Sequence, residues 1–301
     1  MPGLTARLLL ISLVLVPLNS YFLLQMELVR YTFPTWIVPL SNVIFFLAVV
    51  MVVNHLVRQI APRLALRHGE LLVLYVMLSI TTTMSAGDLL QAVLSVLGYA
   101  FWFATPENEF QELFIRHLPR WLTVSDEQTL RAYYMGDSSL YLPHNLKVWI
   151  PVVLAWLLFF MILAFNFLCL NTILRRQWTE HERLTYPIAQ LALEMTSSTS
   201  GFFYNKRMWI GFAIAASIGL INGLSVLFPQ IPFVPVKRTY FTVTEGPLSF
   251  LADDDDLIRL SLYPFAIGIL FLMPLDMLFS TIFFCGMKRV ELMLGRIVGW
   301  D

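Results

Sequence analysis

Charge is what this sequence has least of. Lys, Arg, Asp and Glu make up 13% of its 301 residues, about half the share usual in soluble domains. Six apolar stretches, 8–26, 36–57, 70–104, 148–174, 209–228 and 261–287, hold half of the chain. They contain only three charged residues, Glu70, Asp88 and Asp276. A water-soluble globule of this size cannot hide so much uncharged surface, so the pattern predicts an all-α, polytopic transmembrane helix bundle of about six crossings. Cysteine is scarce as well. Cys169 and Cys285 both fall inside apolar stretches, which excludes a disulfide framework. The histidines, His55, His68, His117, His144 and His181, form no HExxH or CxxC-linked set, so no metal site is expected. A net charge of zero removes the basic field on which nucleic-acid binding depends. With neither a Walker A loop nor a GxGxxG turn, no cofactor is expected. Paired intramembrane-protease motifs are missing too, and no catalytic motif argues for an enzyme.

The charges that are present set an orientation. Arg7 followed by Leu8–Val16 imitates a signal peptide, but Leu18 spoils the cleavage signature and the apolar run continues through Leu24, so the first stretch is read as retained. Segment 58–69 carries Arg58, Arg63 and Arg67 with no acid. Segment 175–208 is basic at both ends, and Lys288 and Arg289 follow the sixth stretch. By the positive-inside rule these and the N-terminus are cytoplasmic. Segment 105–147 and loop 229–260, with its Asp253–Asp256 run, have acidic excess and are expected outside.

That orientation demands an odd number of crossings between 69 and 105, yet 70–104 is too long for one straight span and tight for two. Its middle, Thr81 to Asp88, is small and polar, which predicts a broken or re-entrant third span. Short amphipathic surface helices are expected around it. One covers 107–118, with Phe110, Leu113, Phe114 and Leu118 on one face. A second opens on a capping box at Ser125–Gln128 and stops at Gly136. A third opens on the Thr179–Glu182 box, and a fourth begins at Pro187 with Ile188, Leu191 and Met195 on one face. The proline-rich segment 229–252 predicts an extended loop or small hairpin.

Asp88 and Asp276 sit near the centres of their stretches, where an ionisable side chain costs about 2.5–3.5 kcal/mol on insertion scales. Asp88 follows Gly87 at the suspected break, and Asp276 follows Pro274, which cannot donate to the helix ladder. Acid beside broken helix is the arrangement secondary transporters use for substrates and coupling ions. Asp88, Asp276, Gly87, Asn19 and Gln91 are therefore the candidate substrate or coupling residues. The amides Asn42, Asn54, Asn166, Asn171 and Asn222 are expected to glue helices together, and Gly211, Ala215, Gly219 and Gly223 form a small-residue ladder expected to pack closely on a neighbour.

Several segments together resemble a known family. They are Leu18-Asn19-Ser20-Tyr21, Gln25-Met26-Glu27, Gly69-Glu70-Leu71-Leu72, FWFATPENE over 101–109, and RRQWTE at 175–180 with Tyr186-Pro187-Ile188. The chain resembles, over essentially its whole length, an uncharacterised bacterial multi-pass family, a domain of unknown function. That family is similar in layout to the oligopeptide transporters, which are proton-coupled and built from repeated bundles. The resemblance implies the N-terminal half of a longer carrier, partnered in the bilayer by a second half or by a copy of itself, and it assigns no binding residue. The leading expectation is a secondary transporter of small polar or peptide-like solutes, coupled to protons through Asp88 or Asp276. The rivals are a non-catalytic membrane scaffold and a membrane enzyme acting at the outer face, through Glu107, Glu109 and Glu112, on a lipid-linked substrate.

Overall fold

The computed structural model describes residues 5–36, 40–182, 186–197, 201–236, 239–242, 257–260 and 262–299; the Asp253–Asp256 run lies outside them. In chain order the helices are α1 (Ala6–Leu24), α2 (Ser41–Ile60), α3 (His68–Ser85), α4 (Ala92–Val96), α5 (Tyr99–Trp102), α6 (Phe110–Leu113), α7 (Glu127–Met135), α8 (Pro143–Arg176), α9 (Pro187–Thr196) and α10 (Lys206–Leu227). A two-stranded antiparallel ribbon follows, β1 (Thr239–Thr242) on β2 (Leu257–Leu260), with Thr239 opposite Leu260. Helices α11 (Pro264–Leu272) and α12 (Leu275–Val298) come last. Among the described residues five helical segments are long and apolar enough to cross a membrane: Ala6–Val29, Ser41–Ile60, His68–Val96, Pro143–His181 and Lys206–Leu227. This is a helical membrane protein. The sixth apolar stretch is interrupted, because Met273 is extended (ψ 146°) ahead of Pro274 and the helix restarts at Leu275.

The chain divides into two compact units. The first comprises Met1–Asn19, Phe33–Ser79 and Thr185–Asp301. Its core is Leu8, Val43, Leu74 and Leu78, all fully buried, with Leu74 and Leu78 one turn apart on α3. Polar groups set the register around this apolar seam. Asn42 of α2 donates its amide to the Asn19 carbonyl of α1 across 2.9 Å, and both side chains are buried. The Glu70 carboxylate, at 0% exposure, accepts from Arg7 Nε (2.9 Å) and Nη2 (2.8 Å), from the Arg67 backbone N–H (2.6 Å) and from the Thr5 hydroxyl. Arg7 also donates to the Arg63 carbonyl. The loop after α2 is clamped by Asn54, which exchanges two hydrogen bonds with the backbone of Leu66, and Asn222 does the same for Val234. These two amides therefore pin loops and do not join helices. Asn166 and Asn171, both exposed on α8 in the other unit, return their amides to carbonyls one turn back in their own helix. The α10 ladder differs from expectation too. No residue of α10 is buried, and a Cβ built at Gly211, Gly219 or Gly223 meets open space. Helix α9 begins at Pro187 as expected, but its buried face is Ala192 and Met195, with Ile188 exposed.

The second unit comprises Ser20–Thr32 and Ile80–Leu184. Leu97, Val124, Leu130, Trp149 and Val152 form its core, drawn from the end of the third apolar stretch, the segment after α6, α7 and the first turns of α8. Gly98 is there for space: a Cβ would lie 2.3 Å from Leu130 Cδ2. Trp156 Nε1 donates to the Leu122 carbonyl (2.9 Å), and the Val124 N–H donates to that of Leu97 (3.0 Å). Helix α7 is capped by Asp126, whose carboxylate accepts from the Thr129 N–H, so the cap sits one residue later than the predicted Ser125. Gly136, at φ +79°, ends α7 as expected. His144 Nε2 lies 2.8 Å from the same Asp126 carboxylate. That contact, with the Thr129 bonds, holds the Asp126 carboxyl below its ordinary range. The predicted helix over 107–118 is only the single turn α6 and a 3₁₀ turn at Ile115–His117. No helix starts at Thr179 either. Helix α8 runs on into a π-helical turn, Gln177–His181, and the Thr179 hydroxyl donates back to the Arg175 carbonyl.

Candidate functional site

The third apolar stretch breaks where its residues are poorest at holding a helix. Thr81, Thr82, Thr83 and Ser85 carry side chains that crowd or compete with the helical backbone, and Gly87 adds none. Helix α3 stops at Ser85, Ala86 is extended (ψ 157°), and the chain resumes as a π-helical turn, Gly87–Gln91, before α4. One extended residue uncouples backbone groups on either side, and at membrane depth each of these requires a partner. The side chains of the break supply some. Gln91 Nε2 donates to the Ser85 carbonyl (3.2 Å), and the Ser85 hydroxyl donates to that of Ser20 (3.1 Å).

A further partner comes from the end of the first helix. After Leu24 the chain winds into a π-helical turn, Gln25–Val29, which carries Glu27 into the interior at 2% exposure. Glu27 Oε2 accepts from the Gly87 N–H at 2.8 Å and from Gln91 Nε2 at 3.0 Å. A buried carboxylate thus strings together the backbone and a side chain of the break. A Cβ at Gly87 would sit 3.4 Å from Glu27 Oε2. The contact is therefore close, but alanine is sterically admissible there. Glu70 offers a contrast: it is buried just as deeply and is bound by an arginine, while Glu27 accepts from the uncharged Gly87 N–H and Gln91 amide.

Of the candidates read from the sequence, Gly87 and Gln91 meet at this site. The backbone of Asp88 belongs to the same π-helical turn, and its side chain lies outside the described residues. Asn19 belongs to the first unit, where its partner is Asn42. Asp276, in the same unit, lies in the first turn of α12 right after the Met273–Pro274 break and is exposed. Glu27 was not among the candidates, because the apolar stretch was drawn to close at Met26. The signal for it was the apolar pair that follows, Leu28-Val29, which carries the hydrophobic run past the acid.

The sequence profile of a family of unknown function, DUF6785, matches residues 1–301. The chain belongs to this family. Neither a curated protein nor a solved structure matches it. In this DUF6785 chain the clearest pointer to function is the carboxylate that holds the broken helix.

Proposed function

We propose that this DUF6785 chain is a secondary transporter unit that moves small polar or peptide-like solutes, driven by protons. The observation that carries the reading is the broken third helix with its backbone held by the buried Glu27 carboxylate. Irregular backbone at membrane depth is tolerated only where protein or a watery cavity surrounds it, and carriers place their solute and coupling-ion sites at such breaks. A second break before an acid, at Met273–Pro274 ahead of Asp276, repeats the motif. In this reading the chain crosses the bacterial cytoplasmic membrane six times with its N-terminus inside, the last crossing being the interrupted α11–α12 stretch. Carboxyl groups at the breaks, Glu27, Asp88 and Asp276, carry the coupled proton. The resemblance in layout that the sequence suggests to oligopeptide transporters makes short peptides the first solutes to try.

The test uses the full chain in proteoliposomes loaded with a pH-sensitive dye and challenged with alanyl-alanine and a panel of other short peptides, amino acids and sugars. Solute-dependent acidification of the lumen is expected, with at least a tenfold loss in Glu27→Gln and in the Asp88→Asn, Asp276→Asn double variant. Wild-type rates from the double variant remove both aspartates from coupling. No flux across the panel leaves a membrane scaffold.

A further inference from the structure

The second unit contains a half-open pocket of about 390 Å³, set between α4, α7, the loop 138–140 and the first three turns of α8. This is within the size range of small-molecule sites. Its lining changes character along α8. Asn145, Trp149 and Val153 stand one turn apart on one face, so the pocket runs about 12 Å down the helix, from an amide to an aromatic ring to an aliphatic group. Helix α8 is the most apolar of the segments able to cross a membrane, and its uncharged run begins at Val148, directly after Lys147. Asn145 therefore stands at headgroup level and Val153 in hydrocarbon. The rings around the pocket agree with that depth. Trp102 stacks on Tyr134 at 5.3 Å, and Tyr133 lies 5.0 Å from Tyr134 and 5.3 Å from Trp149, a cluster of the kind that marks a membrane–water interface.

The polar end is built, and its chemistry is one-sided. Asn145, 5% exposed, spends its amide on the pocket's own walls, donating to the Ser139 carbonyl at 2.8 Å and to Ser138 Oγ at 3.4 Å while accepting from the Thr129 hydroxyl. Ser139 Oγ accepts from the Tyr141 N–H. Both serine oxygens thus accept from protein, and each keeps an O–H to give at the mouth. Among the described residues, no charged side chain lines the pocket. The complementary ligand is an uncharged acceptor joined to an apolar body, oriented with its acceptor toward water.

We propose that this pocket seats a glycerolipid: an acyl chain lies against Leu94, Trp149 and Val153, and the glycerol-ester carbonyls accept from Ser138 and Ser139. The lipid's phosphate and headgroup stay outside, where the lining offers them no counter-charge. The site is separate from the Glu27 break, and its test needs no transport. The full chain is reconstituted in phosphatidylcholine vesicles containing a small fraction of phosphatidylcholine with a diazirine high on one acyl chain, irradiated, and mapped by mass spectrometry. Adducts are expected to concentrate on peptides covering 129–140 and 145–153. Ala132→Trp, which fills the pocket, lowers them several-fold while adducts on α10 stay constant. Should that variant misfold, Val153→Asn gives the same loss by placing an amide beside the acyl chain. An ether-linked form of the probe, lacking the ester carbonyls, labels these peptides several-fold less. Labelling spread evenly along α8, indifferent to both variants and to the linkage, overturns the proposal, as does displacement of the label by water-soluble solutes but not by unlabelled lipid.

Discussion

At the scale of single residues, what surrounds a buried carboxylate decides its use. Glu70 receives three side-chain bonds and one backbone bond, two of them from the same guanidinium. Removing one partner of a buried ion pair costs about 3–5 kcal/mol, because the other charge is left uncompensated, while replacing both is nearly neutral. Arg7→Ala is therefore expected to lower the Tm of the detergent-purified protein sharply, whereas the double variant Arg7→Met, Glu70→Gln, which keeps an acceptor for the Arg67 N–H and the Thr5 hydroxyl, recovers most of the loss. Equal damage from single and double variants would argue that the pair does not act as a unit. Asp126 makes a milder case, since its carboxylate is one-third exposed. Its pKa lies below the ordinary value because it accepts from His144 and caps α7. A carboxyl lowered in the folded state binds its proton more readily when unfolded. Its contribution is complete above the ordinary carboxylate pKa and fades as pH falls through the lowered value. Asp126→Ala is expected to cost about 1 kcal/mol near neutral pH and to flatten the acid side of the Tm–pH profile below about pH 4. Both are read by thermal unfolding followed through tryptophan fluorescence.

At the scale of elements, apolar runs and helix-breaking residues were legible, and partners were not. Hydropathy located the long helices, and the Thr81–Asp88 patch located the break after Ser85, since uncharged runs and poor helix formers act locally. The start of α7 was legible to within one residue, because Ser125 and Asp126 can each cap and only tertiary contact with His144 distinguishes them. The Thr179–Glu182 box failed for a related reason. A capping pattern describes a helix start only where the preceding chain is not already helical, and Thr179 lies within the π-helical turn that continues α8. Glu27 was missed because its burial depends on a carboxylate finding donors sixty residues away in Gly87 and Gln91. The packing of α5 and α7 gives a test of element contact. Gly98→Ala forces Leu130 to move and is expected to cost about 1–3 kcal/mol as overpacking. Leu130→Ala in the same chain should relieve that increment, so the double-variant cycle shows a coupling of about 1 kcal/mol or more. Strict additivity in denaturant unfolding would show that the two residues are not in contact.

At the scale of the whole molecule, length becomes a property in its own right. The uncharged part of α8, 148–174, extends about 40 Å as an α-helix, whereas the hydrocarbon core of a typical bilayer is about 30 Å. A rod that outruns the oil around it must lean, or thicken its lipid collar, and either adjustment costs a fraction of a kcal/mol per ångström. Ser41–Ile60 and Lys206–Leu227, at 20 and 22 residues, fit an ordinary bilayer, so it is through α8 that a thicker membrane would stabilise the protein. Its Tm should climb as the vesicle lipids are changed from short to long monounsaturated chains, and a Tm that falls along that series would show α8 to be anchored by its ends alone. Hydrophobic mismatch of this kind sorts proteins among membranes, so the long helix is expected to bias the chain toward thicker bilayers.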